Sequence, residues 1–299
     1  MSKIVFGIDV GGTTVKCGCF SENGELLEKG ELPTRTENSG EYILSDICEY
    51  IKNMLSEKNL SLDDVSGVGI GVPGAVKDGK TVNKCVNLGW GRFNVAEKTA
   101  GLLGLSSENI VIGNDANVAA LGEYWQGAAK NCSSAMMITI GTGVGGGLII
   151  DGKPVDGFNG AAAEIGHMPL VQGLDFACNC GKTDCLEQIA SASGIARLSG
   201  KENAKEVFDA AKAGDEKMEQ VVEKASMYIG RALACCAAVA DPECFVIGGG
   251  VSKAGGYFIE KIRKYYKTQV FYPSRETRIV EAALGNDAGM YGAAKLVLK

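Results

Sequence analysis

The chain opens Ile4-Val5-Phe6-Gly7-Ile8-Asp9-Val10-Gly11-Gly12-Thr13-Thr14, and a related run stands at Ala135-Met136-Met137-Ile138-Thr139-Ile140-Gly141-Thr142-Gly143. Each is an apolar run of strand length that breaks at a glycine turn and resumes as a second strand, Val15–Phe20 in one case and Leu148–Ile150 in the other. Each second strand then meets a polar turn with glycine, Glu22-Asn23-Gly24-Glu25 or Asp151-Gly152, that returns the chain as a third. Gly11 and Gly141 lie roughly 130 residues apart, so a weak structural duplication is the economical reading. Glycine turns of this kind let backbone N–H groups cradle a phosphate, although a plain tight hairpin has the same layout. Two such turns, facing each other, would clamp one nucleotide. Asp9 ends its strand, and a carboxylate there suits Mg²⁺ held through water. The Gly-x-Gly-x-x-Gly match at 141–146 is no dinucleotide fingerprint, because a strand follows it where that motif needs a helix.

Composition sets the outer bounds. A chain of 299 residues has room for two domains with separate cores. Hydrophobic content of 45% with 22% charged residues is ordinary for a soluble globular protein. A net charge of −6 offers no general attraction for nucleic acid or an anionic membrane surface. No apolar run reaches the roughly eighteen residues of a membrane span, and no signal peptide is expected ahead of the first strand. The eleven cysteines are therefore expected to be reduced thiols in the cytoplasm. Cys17, Cys19, Cys235 and Cys236 read as small core residues.

Between the repeats, Ile43, Leu44, Ile47, Ile51, Met54 and Leu55 give Glu41–Lys58 a helical period, and Val65–Val72 reads as a strand. Gly74 to Thr81 matches the phosphate-binding P-loop letter for letter. That motif works only if a helix begins at its lysine, and the residues after Lys80 have no helical period. Asp78-Gly79 is better read as a hairpin turn.

Ile110-Val111-Ile112 runs through Gly113-Asn114-Asp115 into a helix expected over Ala116–Ala129. Asn114 or Asp115 would serve as an N-cap. A carboxylate at the carboxyl edge of a sheet is also where α/β folds bind ligands. Three polar groups in Asn114-Asp115-Ala116-Asn117 exceed what capping needs, which favours a function. Farther on, the only histidine, His167, is followed by Cys178, Cys180 and Cys185, a Cys₃His set suited to tetrahedral structural Zn²⁺. The flanking Glu164 and Glu187 are left free for other work. A third strand, Cys244–Ile247, ends in Gly248-Gly249-Gly250 before a helix over Gly256–Tyr266, and Asn286-Asp287 should cap a final helix.

Together, Asp9-Val-Gly11-Gly12-Thr13-Thr14-Val-Lys16, Asn114-Asp115-Ala-Asn117, Gly141-Thr142-Gly143, Glu164-Ile-Gly166-His167 and the Cys178/Cys180/Cys185-Leu-Glu187 run resemble the ROK family of repressors and sugar kinases. The resemblance covers essentially the whole chain. It departs from the family pattern at Asp184, where glycine usually precedes the last zinc cysteine. It implies an α/β, two-domain actin/hexokinase-like (ribonuclease H-like) fold with the active-site cleft between domains. The small domain would be residues 1–115 plus 286–299, and the large one 116–285. It further implies an ATP-dependent hexose kinase acting on the 6-hydroxyl, with glucose favoured over fructose, allose, mannose or an N-acetylated amino sugar. Asp115 would be the catalytic base, with Asn114, Asp115, Glu164, His167 and Glu187 holding the sugar. Asp9, Gly11, Gly12, Thr13, Thr14, Lys16, Gly141, Thr142, Gly143 and Gly249 would serve MgATP. His167, Cys178, Cys180 and Cys185 would hold zinc, with the histidine also touching the sugar, and a homodimer is expected. A sugar-responsive repressor is disfavoured, because no room for a helix-turn-helix is expected before residue 4 and the charge is acidic.

Overall fold

The computed structural model describes residues 3–298. In chain order the elements run β1 (Ile4–Val10), β2 (Thr14–Ser21), β3 (Leu26–Pro33), a short kinked α1 (Glu37–Gly40), α2 (Ile43–Glu57), β4 (Val65–Val72), β5 (Val76–Lys77), β6 (Thr81–Val82), β7 (Phe93–Asn94), α3 (Val95–Leu103), β8 (Ile110–Asn114) and α4 (Asp115–Gln126). They continue as β9 (Ser134–Ile140), β10 (Val144–Ile150), β11 (Lys153–Pro154), α5 (Glu187–Ala190), α6 (Ala192–Ser199), α7 (Ala204–Lys212), α8 (Glu216–Ala240), β12 (Cys244–Gly248), α9 (Gly256–Gln269), β13 (Arg278–Glu281) and α10 (Ala288–Val297). Contacts group them into two compact units. The first holds the chain up to Gly127, Lys153–Ala162 and the segment from Asn286, and the second holds Ala128–Gly152 and Ala163–Gly285.

The first unit is built on a mixed sheet ordered β3-β2-β1-β4-β8. Strand β1 pairs antiparallel with β2 and parallel with β4, which is itself parallel to β8. Alternate side chains of β1 serve opposite faces, as the period of a strand requires. Ile4, Phe6, Ile8 and Val10 join one apolar cluster with Ile43, Leu44, Ile47 and Ile51 of α2. Val5 points the other way, to Met290 and Ala294 of α10. Each large side chain so buried contributes about 1.5–3 kcal/mol.

Helix α10 lies unusually close to its neighbours because glycines face it. A Cβ at Gly7 would stand 2.1 Å from the Met290 carbonyl oxygen, and one at Gly69 1.8 Å from that of Ala293. The crossing of α10 with α4 is closer still: a Cβ at Gly292 would meet the Val118 carbonyl oxygen at 1.6 Å, and one at Gly122 that of Ala288 at 2.1 Å. Asp287 precedes α10 but makes no capping bond. Its carboxylate instead accepts from Lys29 Nζ at 2.6 Å, so the expected cap is an ion pair.

The second unit repeats the arrangement. Its strands run β10-β9-β12-β13, an antiparallel pair followed by two parallel strands, as β2-β1-β4-β8 do in the first. The glycine turns stand at the same point, after Val10, which pairs with Val15, and after Ile140, which pairs with Val144. The duplication expected from the two sequence runs is therefore present in the topology. Helix α8 carries the core of this unit, with Val222, Ala225, Ile229 and Leu233 packed among Phe245, Ile247, Phe258 and Ile262.

The P-loop lookalike is a hairpin. Asp78 and Gly79 both take positive φ, 56° and 62°, the mark of a type I′ turn, and join β5 to β6. No helix starts at Lys80, whose ammonium pairs with Glu108. Among the described residues no helix is long and apolar enough to cross a membrane.

Candidate active site

In the first unit the candidate residues gather at the carboxyl ends of β1 and β8. The Gly11 N–H donates to the Thr14 carbonyl at 3.0 Å, and the Gly11 carbonyl accepts from Thr34 Oγ1 at 2.8 Å. That closes the turn and leaves Gly12 and Thr13 as its exposed tip, with Thr14 half-buried as the first residue of β2. Asp9 sits opposite Lys16 across β1 and β2. Burial raises its pKa to about 7, the Asp115 carboxylate adds to the rise, and Lys16 opposes it. Gly289 makes room for this carboxyl, since a Cβ there would fall 2.5 Å from Asp9 Cγ. A carboxyl held beside a second carboxylate is a donor set that a hard divalent cation fits, and Mg²⁺ is such a cation. Lys16 Nζ donates to the Asn286 carbonyl at 2.7 Å and lies 3.8 Å from Asp287, so it also ties β2 to the entrance of α10.

The cap that the sequence left open between Asn114 and Asp115 falls to Asn114. Asn114 is the N-cap of α4: its Oδ1 accepts from the N–H groups of Ala116 at 3.0 Å and Asn117 at 3.1 Å. Its Nδ2 donates to the Gly74 carbonyl at 3.2 Å, leaving one amide hydrogen for another acceptor. Asp115 takes the first helical position, where the helix dipole favours an anion. Its Oδ1 accepts from the Ala116 N–H at 2.8 Å.

In the second unit the Gly141 N–H donates to the Gly143 carbonyl at 2.9 Å, and Thr142 is the exposed tip. Glu187 opens α5 and reaches back to this turn, its Oε2 accepting from the Val144 N–H at 3.0 Å. A Cβ at Gly143 would lie 2.4 Å from that oxygen, so glycine is needed there for close approach. Gly249 is needed for a different reason, with φ 85° and the Ile140 backbone 2.5 Å from where a Cβ would stand.

His167, Cys178, Cys180 and Cys185 place one ligand atom each within 4.8 Å of one another. His167 Nδ1 is 3.6 Å from Cys178 Sγ, and Cys180 Sγ is 3.4 Å from Cys185 Sγ. Zinc bonds of about 2.0–2.3 Å in a tetrahedron separate ligand atoms by about 3.3–3.8 Å, so the four residues fit the metal. Lys182 Nζ donates to the His167 carbonyl at 2.7 Å, holding the loop over its own histidine. Asp184, at the position where the family usually has glycine, keeps the loop paired through its carbonyl, which accepts from Val171 N–H at 3.0 Å. Glu164 is exposed one residue before the short 3₁₀ turn that ends in His167. Elsewhere burial pushes Cys17 up to about 12 and Cys19 and Cys236 to about 11, in keeping with inert core thiols.

Three residues beside these groups were not picked out from the sequence. Gly74 was read only as part of the P-loop lookalike, yet its carbonyl holds Asn114. Asn117 was noted as surplus polarity and as part of the family motif but given no role, and its Nδ2 donates to Asp156 Oδ1 at 2.7 Å. Asn117 lay in plain view as a polar residue in the first turn of α4, whereas Asp156, 39 residues on, left no comparable signal.

The ROK family profile matches residues 5–299. A glucokinase of Halalkalibacterium halodurans is 39% identical across 97% of this chain and 94% of its own length. A crystal structure of a ROK family glucokinase from Streptomyces griseus, in complex with glucose and AMPPNP, is 31% identical, covers 98% of both chains and superposes with a TM-score of 0.79. The ROK hexokinase of Thermus thermophilus is 30% identical over 97% of this chain and 96% of its own, with a TM-score of 0.84. With its duplicated α/β units, its matched motifs and these full-length relatives, the chain belongs to the ROK family and has that family's actin/hexokinase-like fold.

Proposed function

We propose that this protein is an ATP-dependent sugar kinase that phosphorylates glucose at its 6-hydroxyl. The observation that carries the reading is Asp115, held at the first position of α4 by an Asn114 cap, with the raised carboxyl of Asp9 beside it. Full-length likeness to a glucokinase and to a kinase solved with glucose and AMPPNP, an ATP analogue, supports the same assignment.

Phosphoryl transfer needs positioning and charge stabilisation more than covalent help. Asp115 accepts the proton of the 6-hydroxyl as its oxygen attacks the γ-phosphorus, and ADP leaves with the bridging oxygen. Asn114 offers its remaining amide hydrogen to a hydroxyl oxygen. Glu164 and Glu187 accept from sugar O–H groups, as does His167 Nε2, the ring nitrogen turned from Cys178. Amides at the exposed tips Gly12-Thr13 and Thr142 hold phosphate oxygens, and Gly249 leaves space for the nucleoside. Bound Mg²⁺ would neutralise charge on the phosphates, with Asp9 holding it through water. Zinc on the three cysteines would fix the orientation of His167. The eleven cysteines, all free, suit a cytoplasmic address.

The test is ADP release from MgATP against a panel of hexoses, with Asp115→Asn alongside. Glucose is expected to lead the panel, and the variant to lose about 10²–10⁴-fold in kcat while sugar binding changes little. A variant as fast as the parent removes Asp115 as base, and a different leading sugar removes glucose as substrate. The homodimer carried over from the family is checked by sedimentation, where a single species of monomer mass would refute it.

A further inference from the structure

Asn117 is the third residue of α4, two positions after Asp115, and only 5% exposed. A helix packed for stability alone would place an apolar side chain there. Instead the side chain is an amide, and it is only partly satisfied. Its Nδ2 donates to Asp156 Oδ1, while its Oδ1 is buried with no partner among the described residues. An unpaired buried acceptor is a cost that the site accepts for some other return.

The partner explains what that return is. Asp156 begins a reversal, Asp156–Gly160, bounded by Gly157 and Gly160 with φ of 76° and 69°. The Asp156 carbonyl accepts from Ala162 N–H at 3.1 Å. Phe158, its one large side chain, is fully exposed, so burial does nothing to hold this loop. The loop and the β5–β6 hairpin line an open cavity of 670 Å³, with Arg92 and Asn83 among its polar groups. A Cβ at Gly160 would stand 3.1 Å from the Val76 carbonyl oxygen, two residues after Gly74, whose carbonyl Asn114 holds. Two asparagines in one helical turn therefore tether two different segments, and Asp115 lies between them.

We propose that Asn117 is a positioning residue for the transfer reaction: through Asp156 it fixes the Asp156–Gly160 loop against the turn that carries Asp115, and so sets affinity for the sugar. This rests on the kinase reading above. In steady-state assays Asn117→Ala should raise the sugar KM about tenfold, the scale of a lost charge-assisted hydrogen bond, with the KM for MgATP unchanged and kcat within about threefold. Asn117→Asp sets two carboxylates face to face and should be worse. Adding Asp156→Asn to it exchanges donor and acceptor and should restore most of the loss. A sugar KM unmoved in Asn117→Ala, or an exchanged pair no better than Asn117→Asp, overturns the proposal. Amide hydrogen exchange at Gly160 and Ala162 reads the tether without turnover, so it separates this idea from the kinase assignment. Faster exchange in Asn117→Ala is expected, and unchanged exchange overturns the tether.

Discussion

Asp9 carries the clearest electrostatic strain in the molecule. Its pKa stands at about 7 in the folded chain against an ordinary 3.8. Between those values the folded state holds a proton that the unfolded state has lost. Stability therefore falls as pH rises from about 4 to about 7, and the full penalty remains above that. In metal-free protein Asp9→Asn should melt higher than the parent at pH 8, by roughly 1–3 kcal/mol in stability, with the advantage fading towards pH 4. Thermal melts across that range check it, and an advantage that does not depend on pH would contradict the assignment. The same variant should be a poor kinase, because a functional site commonly holds groups that the fold would rather not ionise. Little of this was legible in the sequence. Asp9 stood out as a strand-end carboxylate, but its neighbour Asp115 is more than a hundred residues away in the chain, and only topology brings the two together. That Asn114-Asp115 holds the cap of α4 was legible, and which of the two caps was fixed only by hydrogen-bond directions.

At the scale of elements, the turns and periods written locally were the legible part. Helix α2 falls within the span its apolar spacing marks, and Asp78-Gly79 makes the hairpin its dipeptide announces. What the sequence could not convey was how closely backbones approach. Gly143 looked like a phosphate-turn glycine, whereas its nearest constraint is the Glu187 carboxylate. Gly143→Ala should push that carboxylate away from the Val144 N–H and raise the sugar KM by about tenfold, the value of one hydrogen bond to a charged group. The melting temperature should change little, because the turn is part-exposed. A variant with unchanged sugar KM would separate Glu187 from sugar binding.

For the whole molecule, the Cys₃His set is the feature that spacing alone predicted and geometry accommodates. About one zinc per chain is expected in freshly purified protein, with a lower melting temperature after chelation. Protein that holds no zinc, or melts identically without it, would leave the four residues as clustered thiols and an imidazole. The duplication was also legible, because two glycine turns recur with the same strands on either side.

The placement of α10 has a bearing on how the chain is made. The helix packs across β1, β4 and α4, so the first unit takes one of its elements from beyond the second unit in the chain. Lys16 reaches the Asn286 carbonyl across a separation of 270 residues. On the ribosome β1 and β4 emerge before the second unit and α10 after it, so the part of their sheet that α10 covers lacks that cover while the second unit is being made. The second unit, lying wholly within that interval, can complete itself first, so the order of birth and the order of folding run in opposite directions.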